Sequence, residues 1–238
     1  MQTIYEPKGR ALEYCERAVN LYRGCGHGCG YCYAPGALHM HRSDFARVAY
    51  RPGLLESLAA EAPKHTGREV LMCFTCDPYS PESDLTTREA IKILQRSECV
   101  VVVLTKGGQR SVRDFDLLRP GIDKYGATLT LARDADSLRW EPRAALPAER
   151  LAVLAEAHSR GIFTWASFEP VIDPEQTLEL ISAVEGVVDL CKIGRWNHDV
   201  RAKEIDWPSF TRRAVAQCRR QGSAYKLKAD IAAFAEAA

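Results

Sequence analysis

Cys99-Val100-Val101-Val102-Val103-Leu104-Thr105-Lys106 reads as a strand with no polar face until its end. β-Branched side chains favour extended backbone, and a run that is apolar on both faces suits a strand covered from both sides, as in a parallel sheet. The pattern of a short β-branched run followed by a longer helical segment repeats outward from it. Val70–Thr75 comes before, and Ala127–Ala132, Phe163–Phe168 and Val187–Ile193 come after. Helices are predicted over Thr86–Gln95, Ser111–Leu118, Pro147–Arg160, Pro174–Val184 and Pro208–Arg220. Pro147 and Pro174 suit a first helical turn, Asp173 can cap the second of these, and Gly161 suits a C-terminal stop.

Such alternation builds parallel strands joined by helical crossovers. With a further strand near Arg17–Tyr22 the count is six βα units. That number suits a partial (β/α)6 TIM-type barrel, although a doubly wound sheet has the same periodicity. The chain shows no repeat, low-complexity tract or long linker. Residues 1–238 are therefore expected to form one domain, with a core over about 17–200 and a helical segment over about 205–238. In both architectures ligands gather at the C-terminal ends of the strands. Cys25–Cys32, Cys76-Asp77-Pro78, Thr105-Lys106, Arg133-Asp134, Glu169-Pro170 and Arg195 would then converge on one rim.

A formal net charge of +1 gives no support for a strongly basic nucleic-acid protein, though a local basic face is compatible with it. No stretch approaches the roughly 18 apolar residues of a membrane span. The first residues carry no apolar signal run, so a cytoplasmic, reducing location is expected. There, clustered cysteines are more often metal ligands than disulfide partners, and the chain has nine.

Three of them lie in Asn20-Leu-Tyr-Arg-Gly-Cys25-Gly-His-Gly-Cys29-Gly-Tyr-Cys32-Tyr-Ala-Pro35, spaced C-x3-C-x2-C. Thiolates bind iron strongly, and interleaved glycines let a short loop wrap a cluster. Three ligands on a four-iron cube leave one iron open to a small chelating molecule. A zinc site would need a fourth ligand from Cys15, His27 or a distant cysteine.

The triplet, with Tyr31 before its last cysteine, resembles the signature of the radical S-adenosylmethionine (SAM) superfamily. The wider string resembles its spore photoproduct lyase-like, or DNA-repair photolyase-like, branch over about Asn20 to Lys228. The resemblance implies a 4Fe–4S cluster on Cys25, Cys29 and Cys32, SAM on the open iron, and a 5′-deoxyadenosyl radical.

It also implies roles downstream. Tyr31 stands at the cofactor. Asp77, and less directly Glu82, occupies the place of the SAM amino-group contact, although the usual glycines are missing. Lys106 suits the SAM carboxylate. Thr130, Arg133, Glu141 and Arg143 follow the strand where family members contact ribose or carboxylate, and Glu169-Pro170 falls where groups flank adenine. Cys76 lies about two residues from the hydrogen-donating cysteine of spore photoproduct lyase, with Cys73 nearby; each is otherwise a core thiol. Arg195 and Asn197 face substrate or solvent. The pairs Arg212-Arg213 and Arg219-Arg220 read as a solvated face, whereas a nucleic acid would meet rim arginines and exposed aromatics such as Tyr79 or Trp196.

The expected function is radical chemistry on a damaged or modified pyrimidine in DNA, as a lyase or isomerase. The partners would be a DNA or nucleotide substrate and an external one-electron donor such as flavodoxin or ferredoxin, with no membrane. A small-molecule or peptide substrate, or a non-catalytic iron–sulfur or zinc protein, is the alternative.

Overall fold

The computed structural model describes residues 2–197 and 199–235. Nine strands are present among them: β1 (Ala18–Val19), β2 (Tyr22–Arg23), β3 (Ala49–Tyr50), β4 (Glu69–Met72), β5 (Val100–Thr105), β6 (Lys124–Thr128), β7 (Phe163–Val171), β8 (Leu190–Arg195) and β9 (Tyr225–Leu227). Seven form one parallel sheet in the order β1-β4-β5-β6-β7-β8-β9, and β2 and β3 form a separate antiparallel ribbon. The order never reverses, so there is no switch point of the doubly wound kind. The sheet is a partial barrel.

Alternate side chains of each strand divide between two cores, as the strand period demands. Val101 and Val103 pack outward under the helices, in the same cluster as Leu94, Leu154 and Ile181. Val102 points inward with Ala18, Leu71 and Trp165. The Trp165 indole fills the interior beside Gly126, where a Cβ would lie 2.4 Å from the ring. That close approach requires glycine at 126.

The helices are α1 (Ala34–Ala37), α2 (Arg42–Phe45), α3 (Leu54–Glu61), α4 (Thr86–Arg96), α5 (Asp134–Trp140), α6 (Pro147–Ser159), α7 (Pro174–Ala183), α8 (Trp207–Arg220) and α9 (Ala229–Ala232). The four long crossovers α4, α6, α7 and α8 fall within a residue of their expected bounds. Asp173 caps α7 by accepting from the amides of Glu175 at 2.9 Å and Gln176 at 3.1 Å.

Three expectations change. The helix expected over Ser111–Leu118 is a 3-10 segment over Gly108–Asp114, tied by Ser111 Oγ to the Gly108 carbonyl at 2.7 Å. The strand expected at Ala127–Ala132 runs over Lys124–Thr128; the Leu129 amide still donates to the Ser167 carbonyl at 2.9 Å, and the Ala132 and Arg133 amides donate instead to the Gln176 side chain at 3.0 Å. The segment read as helical beyond 205 also contains β9, which lengthens the sheet past six strands.

A strap from the N-terminus closes the open side of the barrel. Tyr5 bridges Ala18 of β1, a 3-10 turn covers Gly9–Glu13, and Glu13 accepts from the Ala229 amide at 2.7 Å beyond β9. Lys192 of β8 donates to the Tyr14 carbonyl at 3.0 Å.

Candidate active site

The C-terminal ends of the strands, the Cys25–Cys32 loop and the strap enclose one cavity of about 440 Å³. It gathers Cys25, Cys29 and Cys32 with Tyr31, Cys76, Asp77, Lys106 and Glu169. Of the expected site residues, Thr130, Arg133, Glu141 and Arg143 lie outside its lining.

The cysteine loop is held almost wholly by backbone. The Cys25 amide donates to the Phe45 carbonyl at 2.8 Å, and Gly30 to that of Trp140 at 2.8 Å. Arg42 of α2 reaches the carbonyls of Cys29 at 3.2 Å and Cys32 at 3.1 Å, so one guanidinium clamps the second half of the loop. Gly24 has a φ of 87° and its Cβ position lies 2.5 Å from the Phe45 and Arg47 carbonyl oxygens. Only glycine fits there.

Asp77 is committed internally. Its carboxylate accepts from the Tyr79 amide at 2.8 Å, Thr105 Oγ1 at 2.6 Å and the Lys106 amide at 2.9 Å, and lies 3.1 Å from His27 Nε2. Burial would raise its pKa, but His27 and these donors hold it well below the usual carboxylate range. Asp77 therefore ties the ends of two strands to the cysteine loop and has little capacity left for a ligand. His27 also contacts the Arg143 carbonyl at 3.4 Å through Nδ1. Its two nitrogens face the Asp77 carboxylate and the Arg143 carbonyl, which does not suit a fourth zinc ligand.

Behind Tyr31 lies a buried charge network that the sequence reading missed. Tyr31 donates to Glu141, and its hydroxyl lies 3.3 Å from Thr130 Oγ1. Glu141 pairs with Arg150, which donates to the Ala145 and Thr128 carbonyls at 2.7 Å and 2.9 Å. Thr130 is thus a support for Tyr31. Lys106 Nζ lies 5.7 Å from the Tyr31 ring centre and has no salt-bridge partner among the described residues. Burial opposes its charge, but Cys29 and Glu141 outweigh that and its pKa is raised. It is a cation available to the cavity. The one signal for this network was Arg150 in the first turn of α6, which reads as a solvated charge until the fold buries it.

Arg143 pairs with Glu82 at the back of the cysteine loop, where Glu82 occupies the space a Gly26 Cβ would take. Glu82 is likewise absent from the cavity lining. Glu169 lines the cavity but is engaged with Tyr14 at 2.5 Å and with Lys228. Tyr79 is 1% exposed and Trp196 5% exposed, so neither is the exposed aromatic expected for stacking; Trp196 does line the cavity. Arg213 pairs with Glu175 on the outer surface, consistent with a solvated face.

Cys73 and Cys76 both line the cavity. Asn20 Oδ1 accepts from the Phe74 and Thr75 amides at 2.7 Å and 2.9 Å, fixing the turn that presents Cys76. Cys73 has a φ of 67°, and its thiol is pushed up by burial and by Cys76.

The donor set fits a cluster. Burial pushes the Cys25 thiol well up and Cys29 up to about 12, with Lys106 offsetting part of the latter, so these thiols ionise when a cation receives them. Among the described residues no three Cys, His, Asp or Glu side chains gather closely enough for a single ion. A four-iron cube takes each thiolate at a different iron and needs no common point.

The radical SAM superfamily profile matches residues 19–185. The chain belongs to the radical SAM superfamily. Members of this superfamily use a 4Fe–4S cluster and SAM. An uncharacterized protein of Acidianus two-tailed virus is 27% identical over 185 residues, covering 68% of this chain and 58% of the relative. A cysteine-to-serine mutant of spore photoproduct lyase aligns with a TM-score of 0.66 at 17% identity, over 86% of this chain and 62% of that one. Streptococcus suis SuiB bound to the precursor peptide SuiA aligns with a TM-score of 0.69 at 11% identity, over 92% and 50%. This radical SAM chain therefore spans about half to three fifths of the length of these relatives. At these identities the solved structures show a shared fold. Among the described residues no helix is long and apolar enough to cross a membrane.

Proposed function

We propose that this radical SAM chain acts on a pyrimidine base of a nucleic acid, as a lyase or isomerase. The observation that carries the reading is the placing of Cys76 in the same cavity as the three cluster cysteines and Lys106. When bound, the cluster and SAM supply reductive sulfonium cleavage and a 5′-deoxyadenosyl radical that abstracts a hydrogen atom. The chain's own part is positional. Cys25, Cys29 and Cys32 hold the cluster, and Lys106 receives the SAM carboxylate through a charge-assisted hydrogen bond. Tyr31 and the apolar walls exclude water. Cys76 presents a thiol hydrogen to a carbon radical.

A solved spore photoproduct lyase mutant holds AdoMet and a dinucleoside spore photoproduct on the same fold, with a TM-score of 0.65, which supports the pyrimidine reading. Reaching such a base in a duplex requires its extrusion from the stack. The alignment with peptide-bound SuiB favours a peptide as the second reading. An external one-electron donor, a cytoplasmic location and a single domain belong to the same proposal.

The test is anaerobic reconstitution and reduction, followed by assay of 5′-deoxyadenosine and mass spectrometry of nucleosides from irradiated or hypermodified DNA. A changed nucleoside supports the reading. An unaltered nucleoside pool, with SAM still cleaved, moves the function to the peptide or small-molecule reading. With Cys76→Ala, SAM cleavage persists while the product distribution shifts; an unchanged product removes Cys76 from the hydrogen-donor role.

A further inference from the structure

Cys73 and Cys76 follow β4 at the cavity with C-x2-C spacing, and the chemistry proposed above leaves Cys73 unused. The bend between them is stapled by Asn20. Its Oδ1 accepts from the Phe74 and Thr75 amides and lies 4.0 Å from the Cys76 sulfur, while its Nδ2 donates to the Tyr5 hydroxyl at 2.9 Å. The Cys73 amide donates to the Val19 carbonyl at 2.8 Å. Cys73 thereby keeps a left-handed φ of 67°, a conformation that residues with a side chain rarely adopt and that persists only where the surroundings impose it. The two thiols are in hydrogen-bond contact. Sulfurs that already touch can be bridged without a large backbone shift.

The other thiols outside the cysteine loop are placed differently. Cys15 donates to the Glu69 carbonyl at 3.4 Å and Cys99 to the His65 carbonyl at 3.3 Å, as core thiols do. Cys191 and Cys218 also touch one another, but both are 0% exposed and neither lines the cavity. Among the described residues, Cys73 and Cys76 combine a paired thiol with access to the cavity. Their burial sets their order of reaction. Cys76 is half-buried, whereas Cys73 is 6% exposed and its thiol is pushed well up by burial and then by Cys76. In thiol–disulfide exchange the accessible thiol reacts first and its buried neighbour completes the exchange. A cavity of about 440 Å³ has room for a small aliphatic disulfide beside Cys76.

We propose that Cys73 and Cys76 form a thiol–disulfide site that takes a small aliphatic disulfide from the cavity, with Cys76 attacking and Cys73 resolving. The Cys76 sulfur, as thiolate, attacks one sulfur of the incoming disulfide. That S–S bond breaks, and the leaving thiolate takes up the proton that Cys76 gave up. Cys73 then attacks the Cys76 sulfur of the mixed disulfide, and its proton goes to the second leaving thiolate. The two cysteines lose two electrons, and the incoming disulfide is reduced to two thiols. What the site controls rests on the hydrogen-donor role given to Cys76 above: once bonded to Cys73, Cys76 has no hydrogen atom to give. A disulfide formed at a strained residue is a readily reduced one, so a dithiol restores the donor.

The experiment treats anaerobically reconstituted protein with hydroxyethyl disulfide, alkylates the remaining thiols with N-ethylmaleimide and maps the cysteines by peptide mass spectrometry. A Cys73–Cys76 linkage is expected, with two alkylatable thiols lost per chain, iron content unchanged and full recovery in dithiothreitol. Cys73→Ser is expected to stop at the mixed disulfide on Cys76, and Cys76→Ser to slow modification of Cys73 at least tenfold. Circular dichroism and iron content serve as fold controls for both variants. Absence of the linkage in the wild type, a mixed disulfide that never resolves, or a Cys191–Cys218 linkage formed at the same rate overturns the site. The donor has its own readout. Nucleoside products of the oxidised protein are expected to shift as in Cys76→Ala and to return with dithiothreitol; products unchanged by full linkage overturn the control of the donor. Linkage without any altered nucleoside leaves the site standing and removes the pyrimidine reading, whereas altered nucleosides without linkage do the reverse.

Discussion

Replacing Glu141 by Gln removes the only carboxylate paired with Arg150 among the described residues, in a place where neither side chain meets solvent: 0% and 2% exposed, respectively. The guanidinium keeps its bonds to the Ala145 and Thr128 carbonyls but loses its counter-charge, and Lys106 loses the same neighbour. Breaking a buried pair from one side costs about 3–5 kcal/mol, because a charge is left uncompensated in a poorly solvating place. Glutamine retains one acceptor oxygen, so the lower figure applies, about 3 kcal/mol. For a domain of this size that is a fall in Tm of roughly 6–12 °C. Urea unfolding of the wild type, Glu141→Gln, Arg150→Met and the double variant closes the cycle. The double variant is expected to lose less than the sum of the single variants by about 2–3 kcal/mol, because no charge is then stranded. A single-variant cost below about 1 kcal/mol, or strict additivity, refutes the claim that this pair supports the wall behind Tyr31.

Asp77, held below the ordinary carboxylate range, gives stability that is present above the unfolded pKa near ~3.9 and is lost as pH falls through the lower folded value. Between those values the unfolded chain binds the extra proton, so stability rises with pH; Asp77→Asn is expected to flatten that limb of the urea midpoint measured from pH 6 down to acid. Lys106→Met is expected to weaken SAM binding by roughly 10–100-fold in calorimetry, the equivalent of a charged hydrogen bond worth about 1.5–3 kcal/mol, and an unchanged affinity removes Lys106 from the carboxylate site. Gly24→Ala meets two backbone oxygens at 2.5 Å with φ at 87°, whereas Gly26→Ala meets only the movable carboxylate of Glu82. Iron and sulfide per chain after reconstitution should therefore fall further in Gly24→Ala, and the reverse order contradicts the backbone clamp.

The parts of this protein that could be read in its sequence are those governed by local pattern. The valine run of β5 is apolar on both faces because each face packs against a different core, and the proline and aspartate at the start of α7 act within a single turn. Strand β6 was misplaced for a non-local reason. Gly126 weakens the strand signal of Lys124–Thr128, yet it is glycine because the Trp165 ring from the next strand lies against it. Asp77, Arg143 and Glu169 show the same limit at the site. A carboxylate or guanidinium at a strand end is marked by sequence as available, but availability depends on whether a distant donor or acceptor has already claimed it.

That distinction changes what the rim can do. Asp77 is consumed by Thr105, Lys106 and His27, Glu169 by Tyr14 and Lys228, and Arg143 by Glu82. Among the described residues, the cavity-lining cations without a salt-bridge partner are Lys106 beside the cysteine loop, Lys8 on the strap and Arg195 at the end of β8. A cavity whose acids are internally neutralised and whose spare charges are positive favours an anionic group such as the carboxylate proposed for Lys106. The strap contributes to this balance, since the same residues that close the barrel between β1 and β9 bring Lys8 to the cavity.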